Sequence, residues 1–364
     1  MDRPWGWYNS GMKTDFSTLT ISPCATMLQA MEQMDRVGHK LLMVIEGGRL
    51  SGLLSIGAIQ RAIVRGESPK TAVGGILRKG MVICTTKDSP DRVKSEMLRC
   101  RAEYMPIVDS QGGVAGIVFW EDLFDEGRLA RAGVGKYDMP VVVMAGGEGT
   151  RLRPLTNILP KPLLPIGKKT IVETIMDRFV EIGCRRFYIS LNYMADTIER
   201  YLTEHNDGLY DLTFFREERP MGSGGSLSLI RDRIAEPFFV TNCDNILQQD
   251  LAEIVEVHRQ NRNEMTVVAA VKSMKLPYGN LVTGDHEQVV RVEEKPEFVF
   301  RVNTGVYVLE PQLLKEIPQN KYYPITDLMN SIIARNGLVG CFPITDGSWC
   351  DIGNWEDYTK VLGR

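Results

Sequence analysis

Two kinds of hydrophobic pattern divide the chain. In the first third, "LLMVIEGGRLSGLLSIGAI" (41–59) and "YMPIVDSQGGVAGIVFWEDLF" (104–124) repeat one layout: an apolar strand, a glycine-bearing hairpin turn, a second strand and a helix. Gly52 and Gly116 each open the second strand. A short apolar strand and an amphipathic helix precede each copy, as in "SPDRVKSEMLRCRAEY" (89–104). Met27, Met31 and Met34 form an apolar stripe at helical spacing in the first copy, which reads as core. Segment 126–140 is charged, glycine-bearing and without period, and predicts a linker.

Beyond it, strands alternate with helices. Apolar strands are expected at "VVVMA" (141–145), "RFYISL" (186–191), "LTFFRE" (212–217), "PFFVTN" (237–242), "MTVVAAV" (265–271) and "TGVYVL" (304–309). A helix is expected over 170–182, with Ile171, Ile175, Phe179 and Ile182 on one face. It opens with a Thr170–Glu173 capping box and stops at Gly183. Wholly apolar strands between helices imply an α/β domain with a mainly parallel sheet covered on both faces.

Bulk numbers narrow the picture. A chain of 364 residues exceeds one ordinary core, and the expected division is 12–126, a linker 127–138, and 139–364. With 43% apolar residues, 24% charged residues and a net charge of −3, no surface for nucleic acid is expected. No apolar run approaches the ~20 residues of a membrane span, and the N-terminus has no signal-peptide core, so no membrane partner is expected. The seven cysteines form no C-x-x-C pair, which suits a reducing compartment and a cytoplasmic location.

The stretch "MAGGEGTRLRPLTNILPKPLLPIG" (144–167) carries the chemistry. Gly146, Gly147 and Gly149 let backbone N–H groups approach a ligand with no Cβ in the way. Arg151 and Arg153 follow, then Lys161 between two stiffening prolines. Such a loop suits a polyphosphate. It lacks the Gly-Lys-Ser/Thr of a Walker A loop, and Leu152 stands where a dinucleotide fingerprint needs its third glycine, which disfavours an oxidoreductase.

Here the chain resembles the nucleotidyltransferases that make nucleotide sugars, whose signature is close to A-G-G-x-G-T-R-L-x-P-L-T followed by P-K-P. The resemblance continues at "PMGSGGSL" (220–227), "VTNCDNIL" (240–247), "VEEKPE" (292–297) and "WCDIGNWEDY" (349–358). Its departures are Ser223-Gly224 for Thr-Ala, Cys243 for a common Gly, and Asn354-Trp355 after the last Gly. It implies a GT-A-like α/β fold on a Rossmann-like mixed, mainly parallel sheet, and Mg2+-dependent attack of a sugar-1-phosphate on the α-phosphorus of an NTP. By the same resemblance Arg151, Lys161 and Asp244 are catalytic, with Asp244 and Asp351 holding the metal. Nucleotide contacts fall to Ala145, Gly146, Gly147, Gly149, Thr150, Glu217 and Gly222. Sugar-phosphate contacts fall to Glu294 and Lys295, with Gly279, Asn192 and Asn303 as further candidates. A phosphate nucleophile is already largely ionised at neutral pH (second pKa about 6), so no general base is needed. That fits four histidines, none of them in these motifs.

Pyrimidine-using relatives carry a Gln where Glu217 stands, five residues before Gly222. Guanine offers N1–H and N2–H₂ as adjacent donors, which one carboxylate can accept together, so GTP is the expected nucleotide. The alternative is a solvated acid paired with Arg216 or Arg219.

The N-terminal repeat resembles a pair of CBS motifs, an α+β module that often binds adenine nucleotides and assembles into homo-oligomers. In that family an Asp at the start of the last helix holds a ribose. Asp122 has that place in the second copy and Ala58 replaces it in the first, so one regulatory nucleotide site is expected, near Asp122. The alternative is a module that only dimerises. This order of domains resembles guanylyltransferases acting on glucosamine-1-phosphate in legionaminic-acid synthesis, with mannose-1-phosphate guanylyltransferases the nearest alternative. A non-catalytic sensor subunit is disfavoured, because Arg151, Lys161, Asp244 and Asp351 are all present. No hexapeptide repeat follows, so no attached acyltransferase is expected.

Overall fold

A computed structural model describes residues 12–77, 83–100, 103–119 and 137–362, in two compact units, Met1–Arg131 and Ala132–Arg364. Asp122 and most of the expected linker lie outside the described residues.

The N-terminal unit repeats itself in register as well as in sequence. Leu41–Glu46 pairs antiparallel with Arg49–Ser55, and Tyr104–Val108 with Val114–Phe119. Gly52 faces Val44 and Gly116 faces Ile107, and in both hairpins the register shifts at the next residue. The short strands Thr20–Ile21 and Cys84–Thr85 run parallel to the first strand of their own hairpins. Helix Met27–Val37 starts with a capping box between Thr26 and Gln29 and ends on Gly38 at φ 73, and its three methionines are buried. The copies share part of their core, beside a cluster that the second copy forms alone from Cys84, Val93, Met97, Met105, Ile107 and Val118. Tyr104, Ile117 and Phe119 pack with Leu19 and Met43, and the Tyr104 hydroxyl donates to the Leu41 carbonyl at 2.9 Å. Strand Met12–Lys13 pairs with Val114–Phe119, so the start of the first copy completes the sheet of the second. A cavity of about 390 Å³, lined by Thr14, Asp15, Phe16, Ser17, Ile45 and Val114, opens where they meet.

The C-terminal unit is built on seven strands in the order Asp211–Arg216, Arg186–Leu191, Val141–Met144, Phe238–Asn242, Glu297–Leu309, Met265–Lys275, Val339–Thr345. All neighbours are parallel except at Glu297–Leu309, which runs antiparallel to both of its partners. The sheet is therefore mixed and mainly parallel. Helix Ile171–Val180 has the expected Thr170–Glu173 box, and Gly183 follows its end at φ 104. No helix among the described residues is long and apolar enough to cross a membrane.

Two expectations change. The strand expected at 304–309 begins at Glu297, because Met265–Lys275 pairs with it along nearly its whole length. Its outer half alternates with solvent and carries no buried apolar run, so the local pattern conceals it. Strand Val339–Thr345 forms the edge next to Met265–Lys275 and was not expected. Proline at 343 argues locally against a strand but is tolerated at an edge.

Candidate active site

Strand Val141–Met144 delivers the glycine-rich loop to the C-terminal edge of the sheet. Three short turns, Thr150–Leu152, Leu155–Asn157 and Lys161–Leu163, then wind it over that edge, with Leu152, Thr156 and Leu163 as buried anchors. The glycines do different work. Gly149 sits at φ 63, and a Cβ there would lie 3.0 Å from Thr156 Cγ2 and 3.1 Å from Lys161 Cβ. A Cβ at Gly146 would lie 3.2 Å from Glu217 Oε1, whereas Gly147 faces open space. Distant groups tether the loop. The Thr156 hydroxyl donates to the Gly149 carbonyl at 2.9 Å, Tyr193 to the Thr156 carbonyl at 3.0 Å, and Trp355 Nε1 to the Arg153 carbonyl at 3.1 Å.

Lys161 reaches from this loop to Asp244, with Nζ 2.5 Å from Oδ2 and both side chains largely buried. Asp244 Oδ1 is also buried and has no hydrogen-bond partner. Asp351 lies alongside. Strands Asn245–Leu247 and Trp349–Asp351 pair antiparallel with Asn245 opposite Asp351, and the Ile352 N–H donates to the Asp244 carbonyl at 2.9 Å. Burial and then the nearby Asp244 carboxylate raise the Asp351 pKa, against the opposing pull of Lys161 and Arg151. Arg151 Nη1 and Asp351 Oδ2 each lie 3.1 Å from where a Cβ of Gly353 would be.

An orphaned carboxylate oxygen beside a second, charge-stressed carboxylate fits a divalent cation. Among the described residues no group of three or more His, Cys, Asp or Glu could form a complete protein cage. Two carboxylates with the remaining positions left to water and phosphate is the arrangement Mg2+ commonly takes.

Glu217 follows strand Asp211–Arg216 and turns its carboxylate inward. The Ser190 hydroxyl donates to Oε1 at 2.5 Å, the Met221 N–H donates to Oε2 at 3.0 Å, and Asn192 Nδ2 donates to the Glu217 carbonyl at 2.8 Å. The neighbouring arginines are engaged elsewhere, Arg216 with Asp196 and Glu199 and Arg219 with the Asn320 carbonyl. Gly222 sits at φ 76 against Tyr322 and Tyr323. Gly224 and Gly225 pack on the backbone of 321–325, where a Cβ on Gly225 would lie 2.6 Å from the Lys321 carbonyl.

Gly279 and Glu294 meet on a two-stranded arm, Asn280–Thr283 with Val289–Glu293, where a Cβ on Gly279 would lie 3.2 Å from Glu294 Oε2. Lys295 takes a positive φ of 46 in the turn that follows. Asn303 donates to the Tyr307 hydroxyl at 2.9 Å and accepts from the Gly305 N–H at 2.9 Å. Asn192 lies with Gly146 and Glu217, while Gly279 and Glu294 lie together on the arm.

Several site residues escaped the sequence. Ser190 is one. Asn245 is another, accepting from Trp349 Nε1 at 3.1 Å and so joining the segments that carry the two aspartates. Gly305 is a third. It sits at φ 78 where the pairing of Met265–Lys275 with Glu297–Leu309 shifts, and a Cβ there would lie 2.5 Å from Asn242 Nδ2 and 2.6 Å from Asn245 Nδ2. A glycine inside an apolar strand was the available signal for such a close approach.

The Nucleotidyl transferase family matches residues 140–363, more than half of the chain. The chain belongs to the nucleotidyl transferase family. Similar nucleotidyl transferases include "Probable mannose-1-phosphate guanylyltransferase 1" of Oryza sativa subsp. japonica, 32% identical over 232 residues, which are 62% of this chain and 64% of that protein. The mannose-1-phosphate guanyltransferase of Yarrowia lipolytica is 34% identical over 233 residues, covering 60% of this chain and 62% of that one. The match thus spans less than two thirds of these curated relatives. Among solved nucleotidyl transferase structures, a candidate glucose-1-phosphate thymidylyltransferase from Bacillus anthracis shares the fold, with a TM-score of 0.50 at 22% identity over 62% of this chain and 94% of that one.

Proposed function

We propose that the chain transfers a guanylyl group from GTP to a sugar-1-phosphate, releasing pyrophosphate. The observation that carries this reading is the meeting of Lys161, Asp244 and Asp351 beside the glycine loop, with Arg151 next to Asp351. A phosphate oxygen of the sugar attacks the α-phosphorus, a new P–O–P link forms, and the bond to the β-phosphate breaks as pyrophosphate leaves. Lys161 and Arg151 neutralise charge that builds on the α-phosphate and the leaving group. Asp244 and Asp351 would hold Mg2+, which when bound supplies Lewis-acid stabilisation and in-line alignment of the phosphates. Glu294 and Lys295 would bind the sugar hydroxyls and its phosphate.

Mannose-1-phosphate is the sugar named for the relatives, and glucosamine-1-phosphate is the reading favoured by the N-terminal repeat. That repeat, with hairpins matched down to the register shift, we read as a CBS pair that binds an adenine nucleotide and joins copies of the chain. The test is pyrophosphate release with Mg2+, crossing GTP, UTP, dTTP, CTP and ATP against both sugar phosphates, with and without AMP or ATP. GTP with one sugar should stand out. Equal turnover of UTP would sink the guanine reading, and a rate and oligomeric state indifferent to adenine nucleotides would sink the regulatory one.

A further inference from the structure

Ser190 stands fully buried in a strand whose other buried residues, Phe187, Ile189 and Leu191, are apolar. A hydroxyl taken out of water is costly unless it is hydrogen-bonded. Here it donates to Glu217 Oε1 at 2.5 Å. The other oxygen, Oε2, accepts from the Met221 N–H at 3.0 Å, so the carboxylate is held at both ends. The residue also reaches the phosphate loop, because its carbonyl accepts from the Ala145 N–H at 3.0 Å. On the side facing the loop, position 146 is a glycine, and a Cβ there would come within 3.2 Å of Oε1.

We infer that Ser190 is a positioning residue for base selection: its hydroxyl fixes the plane of the Glu217 carboxylate so that both oxygens meet the N1–H and N2–H₂ edge of a guanine. This rests on the guanine reading above. Each carboxylate oxygen can accept more than one hydrogen bond, so the bonds from Ser190 and Met221 leave capacity for the base. Without the hydroxyl only the Met221 N–H still holds the carboxylate, which can then swing about its last torsion, one with only broad preferences of its own.

The experiment compares kcat/KM for GTP and ITP, because ITP keeps N1–H and lacks the 2-amino group. Wild-type protein should prefer GTP over ITP and over UTP. Ser190→Ala should lower the GTP-to-ITP ratio about tenfold, while kcat at saturating GTP and KM for the sugar phosphate change less than about twofold. Ser190→Thr, which keeps the hydroxyl, should recover most of the ratio. The ratio is internal to one preparation, so partial unfolding cancels from it. A Ser190→Ala protein that discriminates as the wild type does overturns the role of Ser190 and leaves the guanine reading standing. Wild-type protein indifferent among GTP, ITP and UTP overturns the guanine reading and this inference with it.

Discussion

The proposed nucleotide side and the proposed sugar side of the C-terminal unit rest on different support. On the nucleotide side, contacts come from far along the chain: Tyr193 and Trp355 hold the loop, Ser190 holds Glu217, and Trp349 holds Asn245. On the sugar side, Gly279 and Glu294 ride on the arm Asn280–Thr283/Val289–Glu293, where Leu281, Val290 and Val292 are each more than half exposed. Crowded, cross-braced groups cannot shift singly, whereas a two-stranded ribbon with few packed contacts opens locally at low cost. Under the proposed function, base choice and metal geometry would rest on a rigid frame and sugar choice on an adjustable one.

The largest test removes a charge from the rigid side. Asp244→Asn should cut turnover at least about a thousandfold while GTP still binds, because the metal clamp acts mostly in the transition state. Pyrophosphate release with parallel calorimetry reads both, and near-normal turnover would remove Asp244 from the metal site. Glu294→Gln on the arm should raise KM for the sugar phosphate about 10- to 100-fold and leave KM for GTP alone, the scale of one charged hydrogen bond. An equal rise in both would erase the distinction between the two sides.

Two glycines separate support from ligand access. Gly225→Ala forces a Cβ against the Lys321 carbonyl and should destabilise by about 1–3 kcal/mol, seen as a fall in Tm of several degrees. Gly147→Ala meets nothing within 4 Å, so Tm should hold while KM for GTP rises several-fold. A Tm loss at Gly147 equal to that at Gly225 would show that both glycines serve packing. The smallest effect is expected at Val290→Ser, which should leave stability within about 0.5 kcal/mol. A clear Tm loss there would mean that the arm is covered by something in solution.

Local patterns made much of this legible. The Thr170–Glu173 box, the strand at 186–191 and the methionine stripe of Met27–Val37 all follow from contacts within a few residues, where spacing alone determines which side chains meet. The edge strand Val339–Thr345 and the outer half of Glu297–Leu309 were hidden, because partners supplied from elsewhere in the chain stabilise them. At the candidate site the residue types that carry charge could be named from motifs. Of the residues that aim them, Ser190 carried no pattern of its own, and Asn245 sat inside the motif at 240–247 with nothing to show its partner Trp349.

By itself, then, the sequence determined the alternation that makes a mainly parallel sheet, the repeat in the first third, and a glycine loop with Arg151 and Lys161 fit for phosphates. Folding in three dimensions decided that Lys161 meets Asp244, that Asn245 lies opposite Asp351, and that Ser190 holds Glu217. The physical reason is range. Periodicity and capping act over one or two turns of chain, whereas a hydrogen bond between residues tens of positions apart exists only once the sheet has brought their strands together.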